Sequence, residues 1–248
     1  HFGHHALVAG IDPHSPYVPM VASERVEQLR RWHDEVSESL HRSAPHDVDY
    51  LGLRLHVPAE VFPPTPVSDL LGRVVMSTVR SGHRVLDMGC GSGANAILAA
   101  QRTDDVVAVD VNPHAVAAAA ANARNNGVGD RVRCAVSDVF ERVNGLFDVI
   151  VFDPPFRWFA PRDLLERAIT DENYETLGRF ITEAPRHLRE NGCILLFFGT
   201  SGDVGHLDAL TRRARYVVQT VAERTRDVRG ESTTYFVRRL AQPLDVAP

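Results

Sequence analysis

Val85-Leu-Asp-Met-Gly-Cys-Gly-Ser-Gly93 is an apolar run that closes on glycines at alternate positions. It reads as a buried β-strand whose end tolerates positive φ and lets a ligand approach the backbone without meeting a side chain. Ala94 to Gln101 follows with the composition of a helix, so the glycines sit in a strand-to-helix turn. In open α/β sheets that turn lies at the carboxyl edge of the strands, where nucleotides bind. The spacing is G-x-G-x-G rather than the dinucleotide G-x-G-x-x-G, so the stretch alone leaves an NAD-type domain open as a reading.

Strand and helix patterns alternate outward from this turn, the signature of a doubly wound sheet. The spacing predicts helices over 68–79, 94–101, 113–125, 175–190 and 204–214. It predicts strands over 84–88, 106–110, 132–135, 147–152, 193–198, 216–222 and 233–238. Ala115 to Ala121 is a helix former rather than a linker. Residues 67–248 are therefore expected to form the main domain, and 1–66 an accessory region holding eight of the twelve histidines. Within that region Ser23 is a candidate helix cap for a segment to about Leu40. Leu51 to Val57 reads as a strand with its leucines on one face, and the four prolines of Pro58 to Pro66 force a loop. His1, His4 and His5 form a cluster with nothing to fix a metal geometry, and no metal is expected.

All 27 cationic side chains are arginine, and lysine is absent. That excludes a Schiff-base lysine and a P-loop lysine, because guanidinium cannot replace a primary ammonium in either role. The net charge of -5 gives no global basic field for nucleic acid or membrane. Eight arginines do gather in Arg212 to Arg239 against three acids: Arg212, Arg213, Arg215, Arg224, Arg226, Arg229, Arg238 and Arg239. They read either as an RNA-facing patch or as a solvated sheet edge. The three widely spaced cysteines, Cys90, Cys134 and Cys193, point to reduced thiols in a cytoplasmic protein, and no apolar run is long enough to span a bilayer. The chain begins at His1 rather than methionine, so its natural start is expected to be missing or altered.

Two further carboxylates strengthen the cofactor reading. Asp110 ends the strand after the glycine turn, where it can accept both hydroxyl protons of a ribose. Asp138, after Ser137 and just beyond the following strand, can accept from an adenine amino group. These residues, as Asp87-Met-Gly-Cys-Gly-Ser-Gly93, Val109-Asp-Val-Asn112 and Ser137-Asp138, resemble the class I S-adenosylmethionine-dependent methyltransferases in order and spacing. The resemblance covers roughly residues 67 to 240. It implies a Rossmann-like, mostly parallel seven-stranded sheet with an antiparallel last strand. It further implies that Asp87, Gly89, Gly91 and Gly93 border the methionine part of the cofactor, that Asp110, Val111 and Asn112 meet the ribose, and that Asp138 and Val139 meet the adenine.

Asp148-Val-Ile-Val-Phe-Asp-Pro-Pro-Phe156 ends a fully apolar strand on an acid, two prolines and an aromatic ring. The prolines lack N–H groups, so the carbonyls of this turn can point outward as unshared acceptors. Asp153 adds a carboxylate and Phe156 a flat apolar face, which together make a clamp for a planar NH2 group. Asp153, Pro154, Pro155 and Phe156 are thus the candidate catalytic residues, with rate coming mainly from alignment. The tetrapeptide resembles the Asn/Asp-Pro-Pro-aromatic motif of amino-methyltransferases. Glu60 to Pro64 and Tyr174 to Gly199 look like the release-factor glutamine and the small-domain ribosomal-RNA guanine methyltransferases. The resemblance implies a protein glutamine or an RNA base as acceptor. Asparagine is usual in the glutamine enzymes, and an ionised Asp153 only accepts, which suits an exocyclic amine at least as well as a carboxamide. A small-molecule N- or O-methyltransferase and a cofactor-binding regulator without catalysis stay open. Phe62, Thr65, Arg157 and Trp158 are candidate substrate contacts, each with a plain packing alternative.

Overall fold

Strands buried on both faces need near-continuous apolar runs, and Val85–Met88 (broken only by Asp87), Val106–Val109, Val149–Phe152 and Ile194–Phe198 supply them in a computed structural model that describes residues 17–243. The His1, His4 and His5 cluster lies outside the described residues.

The chain enters on α1 (Ser23–His41) and a hairpin of β1 (His46–Tyr50) and β2 (Leu53–Val57). It continues through α2 (Asp69–Thr78), β3 (Arg84–Met88), α3 (Ala94–Ala100), β4 (Asp105–Asp110), α4 (Pro113–Asn125), β5 (Val132–Val136) and β6 (Phe147–Phe152). The last elements are α5 (Glu175–Glu183), β7 (Leu188–Gly199), α6 (Val204–Arg213), β8 (Val217–Val228) and β9 (Glu231–Ala241).

The main sheet has seven strands in the order β5-β4-β3-β6-β7-β9-β8. Pairing is parallel from β5 to β7, and the last strand, β9, runs antiparallel between β7 and β8. One face packs against α2, α3 and α4 through residues such as Leu71, Val75, Ile97 and Ala119. The other packs against α1, α5 and α6 through Leu29, Leu177, Phe180 and Leu207. The chain winds outward from β3 to β5 and then returns to β6 on the opposite side of β3. That reversal opens a crevice at the carboxyl ends of β3 and β6, where such sheets bind ligands. Because Met88 pairs with Phe152, Gly89 and Asp153 leave the sheet side by side.

Several expected boundaries move. Ala22 rather than Ser23 precedes α1, with no side-chain cap. Leu51 does not belong to a strand. With Gly52 it forms a two-residue turn, both at positive φ (46° and 83°), as a twisted hairpin requires. The helix predicted to Glu190 stops at Glu183, because Pro185 cannot continue the ladder and sits in a 3-10 turn over Ala184–His187. The strand after it therefore starts at Leu188. The final hairpin is longer than predicted and turns at Arg229-Gly230, again with both φ positive. Of the accessory region, residues 17–66 are described and they pack on the main sheet: Leu29 is fully buried, and Asn122 of α4 and Asn126 just after it hydrogen-bond the backbone of His56 and Arg54 in β2.

Candidate active site

A cleft of about 860 Å³ crosses the carboxyl ends of β3, β4 and β6. Its first half is built almost entirely from backbone and short side chains. Gly89 and Gly91 line it at φ +67° and +53°. A Cβ at Gly91 would meet no protein atom within 4 Å, and one at Gly89 only the edge of Phe152 at 3.8 Å, so both positions hold open the space a ligand would fill.

The third glycine has a different task. Gly93 does not line the cleft; its Cα faces α4, where an added Cβ would stand 2.9 Å from Ala119 Cα. Asp87 is also displaced from the expected role. Its carboxylate is buried under the turn and accepts from the Ala96 N–H at 2.9 Å, fixing the start of α3. Burial pushes its pKa up to about 8, helped by the nearby Asp110 and Asp153 carboxylates and opposed by the Ala96 N–H.

Asp110 reaches the cleft and accepts from Gly91 N–H and Asn112 N–H, both at 2.9 Å. Two of its roughly four acceptor sites are thereby used and the others remain for a diol. Burial raises its pKa, and these backbone donors oppose the rise. Asn112 lines the cleft, but its side chain is committed. Its oxygen caps α4 through His114 N–H at 3.0 Å, and its amide donates to Glu60 carbonyl at 2.8 Å, anchoring the proline loop. Val111 and Val139 form an apolar wall, Val139 at φ +49°. Asp138 lies beside them with one oxygen held by Arg179 at 3.0 Å. Asn122 was not singled out from sequence, yet its amide donates to Ser92 carbonyl inside the glycine turn and to His56 carbonyl. Its only signal is the four-residue spacing from Asn126 on a helix of alanines.

The second half is made of large side chains from distant segments. Asp153, Pro154, Pro155 and Phe156 all face the cleft. The Asp153 carboxylate has no hydrogen bond or ion pair among the described residues, and burial pushes its pKa up to about 7. The Asp153, Pro154 and Pro155 carbonyls likewise accept nothing in the turn. The turn is held from behind by Tyr174, whose hydroxyl donates to Phe156 carbonyl at 2.5 Å and accepts from Asp203 N–H at 2.8 Å. The Phe156 ring packs against Phe197, Phe198 and Tyr235.

Phe62 and Thr65 line the cleft from the proline loop, and Tyr50, Trp32 and Val36 join them from the hairpin and α1. Tyr50 donates to Ser68 carbonyl at 2.7 Å, and its own pKa is raised by burial with the Asp153 charge adding to it. None of the last three carried a sequence signal beyond apolar periodicity. Arg157 lines the cleft, whereas Trp158 turns away into an aromatic cluster with Tyr17, Phe159 and Tyr174, so the expected substrate contact at Trp158 is a packed indole.

The arginine-rich tail does not form one face. Arg224 pairs with Asp69, Arg229 with Glu35 and Arg238 with Asp208. Arg226 alone of the eight lines the cleft, while Arg212, Arg213 and Arg215 are exposed around the end of α6. No group of three or more metal-ligating side chains occurs among the described residues, and no described helix is long and apolar enough to cross a membrane.

The family model for the methyltransferase small domain matches residues 61–221. A putative protein N5-glutamine methyltransferase of Methanocaldococcus jannaschii is 32% identical over 154 residues, 59% of this chain and 76% of that protein. The release factor glutamine methyltransferase of Lactococcus lactis is 28% identical, over 66% of this chain and 67% of its own length. Among solved structures, the T. thermophilus 16S rRNA N2 G1207 methyltransferase superposes with a TM-score of 0.58 at 23% identity. That match covers 80% of this chain but only 50% of the solved one, and it speaks for the fold. With the model spanning well over half of its length, the chain belongs to the methyltransferase small-domain family and is a methyltransferase of class I fold.

Proposed function

We propose that the protein transfers the methyl group of S-adenosylmethionine to a planar NH2 nitrogen, a glutamine carboxamide or an exocyclic amine of an RNA base. The observation that carries this reading is the unpaired Asp153 carboxylate beside free carbonyls and the Phe156 face, next to a turn with open space over Gly89 and Gly91. The sulfonium supplies an activated methyl group and a neutral thioether leaving group. Gly89 and Gly91 admit the cofactor, Asp110 takes the ribose hydroxyls, and Val111, Val139 and Asp138 receive the adenine. Asp87, Gly93 and the Asn112 side chain shape this seat without facing it.

Asp153 and the Pro154 carbonyl accept the two N–H bonds of the acceptor, and Phe156 stacks on its plane, so the nitrogen lone pair points along the line of attack. Asp153 also stands where the proton released from nitrogen must go, and its raised pKa suits that exchange near neutral pH. The same raised pKa lets Asp153, when protonated, donate to a carboxamide oxygen, which keeps glutamine within reach of this clamp. Residues 67–248 carry this chemistry in our reading, with α1 and the β1–β2 hairpin closing the acceptor side. The free thiols of Cys90, Cys134 and Cys193 fit a cytoplasmic enzyme.

Calorimetric titration with S-adenosylhomocysteine tests the cofactor seat: wild type binds, and Asp110→Ala weakens binding about 10- to 100-fold through loss of a buried charged acceptor. Absence of binding by wild type sinks the proposal. Transfer of tritiated methyl into fractionated lysate then reads the acceptor. Label in protein or in RNA is expected, and label confined to small molecules removes both acceptors.

A further inference from the structure

Arg157 follows the Asp-Pro-Pro-Phe turn directly and is only 7% exposed, yet it has no ion pair among the described residues. Its Nε is buried without a hydrogen-bond partner. Its guanidinium carbon stands over the Trp32 ring, 4.4 Å from the ring centre, and both residues line the cleft. Burial pulls its pKa down to about 10, and the groups that act most on its charge are Tyr235, Tyr174, Arg229 and Arg25, none of them a carboxylate. Arg25 and Arg229 are themselves neutralised, by Glu231 and Glu35. A buried cation without a counter-ion is costly, and proteins keep one where a ligand brings the missing charge.

Resting on the proposed N-methyl transfer, we infer that Arg157 seats a phosphate of the acceptor, which makes the acceptor a nucleotide whose base amine enters the Asp153 clamp. The planar guanidinium fork matches phosphate oxygens, and stacking on Trp32 holds the fork rigid. Arg226, unpaired among the described residues and exposed, offers a second cation on the cleft wall. The rings of Phe156, Phe197, Tyr235 and Trp32 line the same cleft as Asp153 and Arg157, and they suit the faces of a base better than the aliphatic stem of a glutamine.

The protein is first saturated with S-adenosylhomocysteine, so that the cofactor seat is filled. The complex is then titrated at low salt with guanosine and adenosine 5'-monophosphates and with the matching nucleosides. At least one monophosphate is expected to bind about 10-fold or more tightly than its nucleoside. Arg157→Gln removes that difference while S-adenosylhomocysteine affinity stays within about 2-fold, and Arg157→Lys, a cation without the fork, keeps part of it. Equal binding of both pairs by wild type overturns the phosphate seat, as does a preference that survives Arg157→Gln. Binding of a glutamine-containing peptide where neither monophosphate binds assigns the acceptor to protein and overturns it too. Failure of S-adenosylhomocysteine itself to bind is a different result, which strikes the proposed function instead. If Arg157→Gln does not fold, the wild-type comparison of nucleotide with nucleoside, together with Arg157→Lys, still decides.

Discussion

The two halves of the cleft are built on opposite principles. The cofactor half is a consequence of backbone: turns of a few residues, two glycines over open space and one carboxylate tied to two N–H groups. The acceptor half is a consequence of packing: Trp32, Phe62, Arg157, Arg226 and Tyr235 come from segments almost the whole chain apart. A backbone site is encoded locally and is common to chains of the same fold. A packed site exists only after folding, and each of its walls can be exchanged without touching the chemistry.

The sharpest way to break this division is at the boundary between the halves. Asp153→Ala is expected to lower the methyl-transfer rate about 10²- to 10³-fold, the usual effect of removing one preorganised polar contact in the transition state. Affinity for S-adenosylhomocysteine should stay within about 3-fold. Parallel single-turnover kinetics and calorimetry check this, and a matching loss of cofactor affinity would mean that the halves are not separable at Asp153.

Gly93→Ala attacks the local encoding from below. The new methyl collides with Ala119 Cα at 2.9 Å and the residue sits at φ +88°, so packing and backbone both object. A loss of about 2–4 kcal/mol is expected, roughly 5–15 °C in Tm for a chain of this size. Gly91→Ala has space for its methyl, though not a favourable φ, so it should unfold less readily and instead weaken S-adenosylhomocysteine binding. Thermal melts with calorimetry separate a glycine kept for helix packing from one kept for the ligand.

Legibility in the sequence follows the same line. β3, α4 and β6 fall at the residues that the pattern predicts, because a strand buried on both faces and a capped alanine helix leave little choice. Edge strand β8 was read as half its length, since a solvated strand carries arginine, threonine and glutamate on both sides and shows no period. Within the site, Asp110 and Asp153 line the cleft at the ends of β4 and β6, where the strand pattern puts them. Residue type and spacing do not say which way a side chain points: the Asp87 carboxylate turns to Ala96 under the turn, and Asn112 lines the cleft with its side-chain amide tied to Glu60. Trp32 and Tyr235 were invisible, being ordinary apolar positions until α1 and β9 close over the cleft.

The Asp153 carboxyl also links the halves to pH. Its folded pKa, pushed up to about 7 from the usual 3.8, means that folding favours the protonated form. That stabilisation is complete at low pH and is lost as pH rises through about 7. Asp153→Asn, which cannot ionise, should therefore gain stability over wild type as pH rises from 5 to 7 and level off above it. The added gain is about 1–2 kcal/mol, discounted because the carboxylate faces the cleft, or roughly 2–6 °C in Tm. A cationic cofactor favours the ionised form, so S-adenosylmethionine should shrink the effect while S-adenosylhomocysteine leaves more of it. Melting curves across pH with each ligand test this, and a pH-independent difference between wild type and Asp153→Asn would place the proton elsewhere.

The smallest effect belongs to the feature that looked most suggestive in the sequence, the arginine-rich tail. Three of its eight members are spent on Asp69, Glu35 and Asp208, and only Arg226 reaches the cleft. Arg212, Arg213 and Arg215 lie around the end of α6, where positive charge also meets the negative end of the helix dipole. Replacing these three with glutamine should alter acceptor turnover by less than about 2-fold and leave its salt dependence unchanged, because they are exposed and none of them lines the cleft. Arg226→Gln should reduce that salt dependence by about one contact. The two measurements together decide whether positive charge acts on the acceptor from the cleft wall or from the whole tail. A large loss from the α6 triple variant would extend the acceptor surface well beyond the cleft.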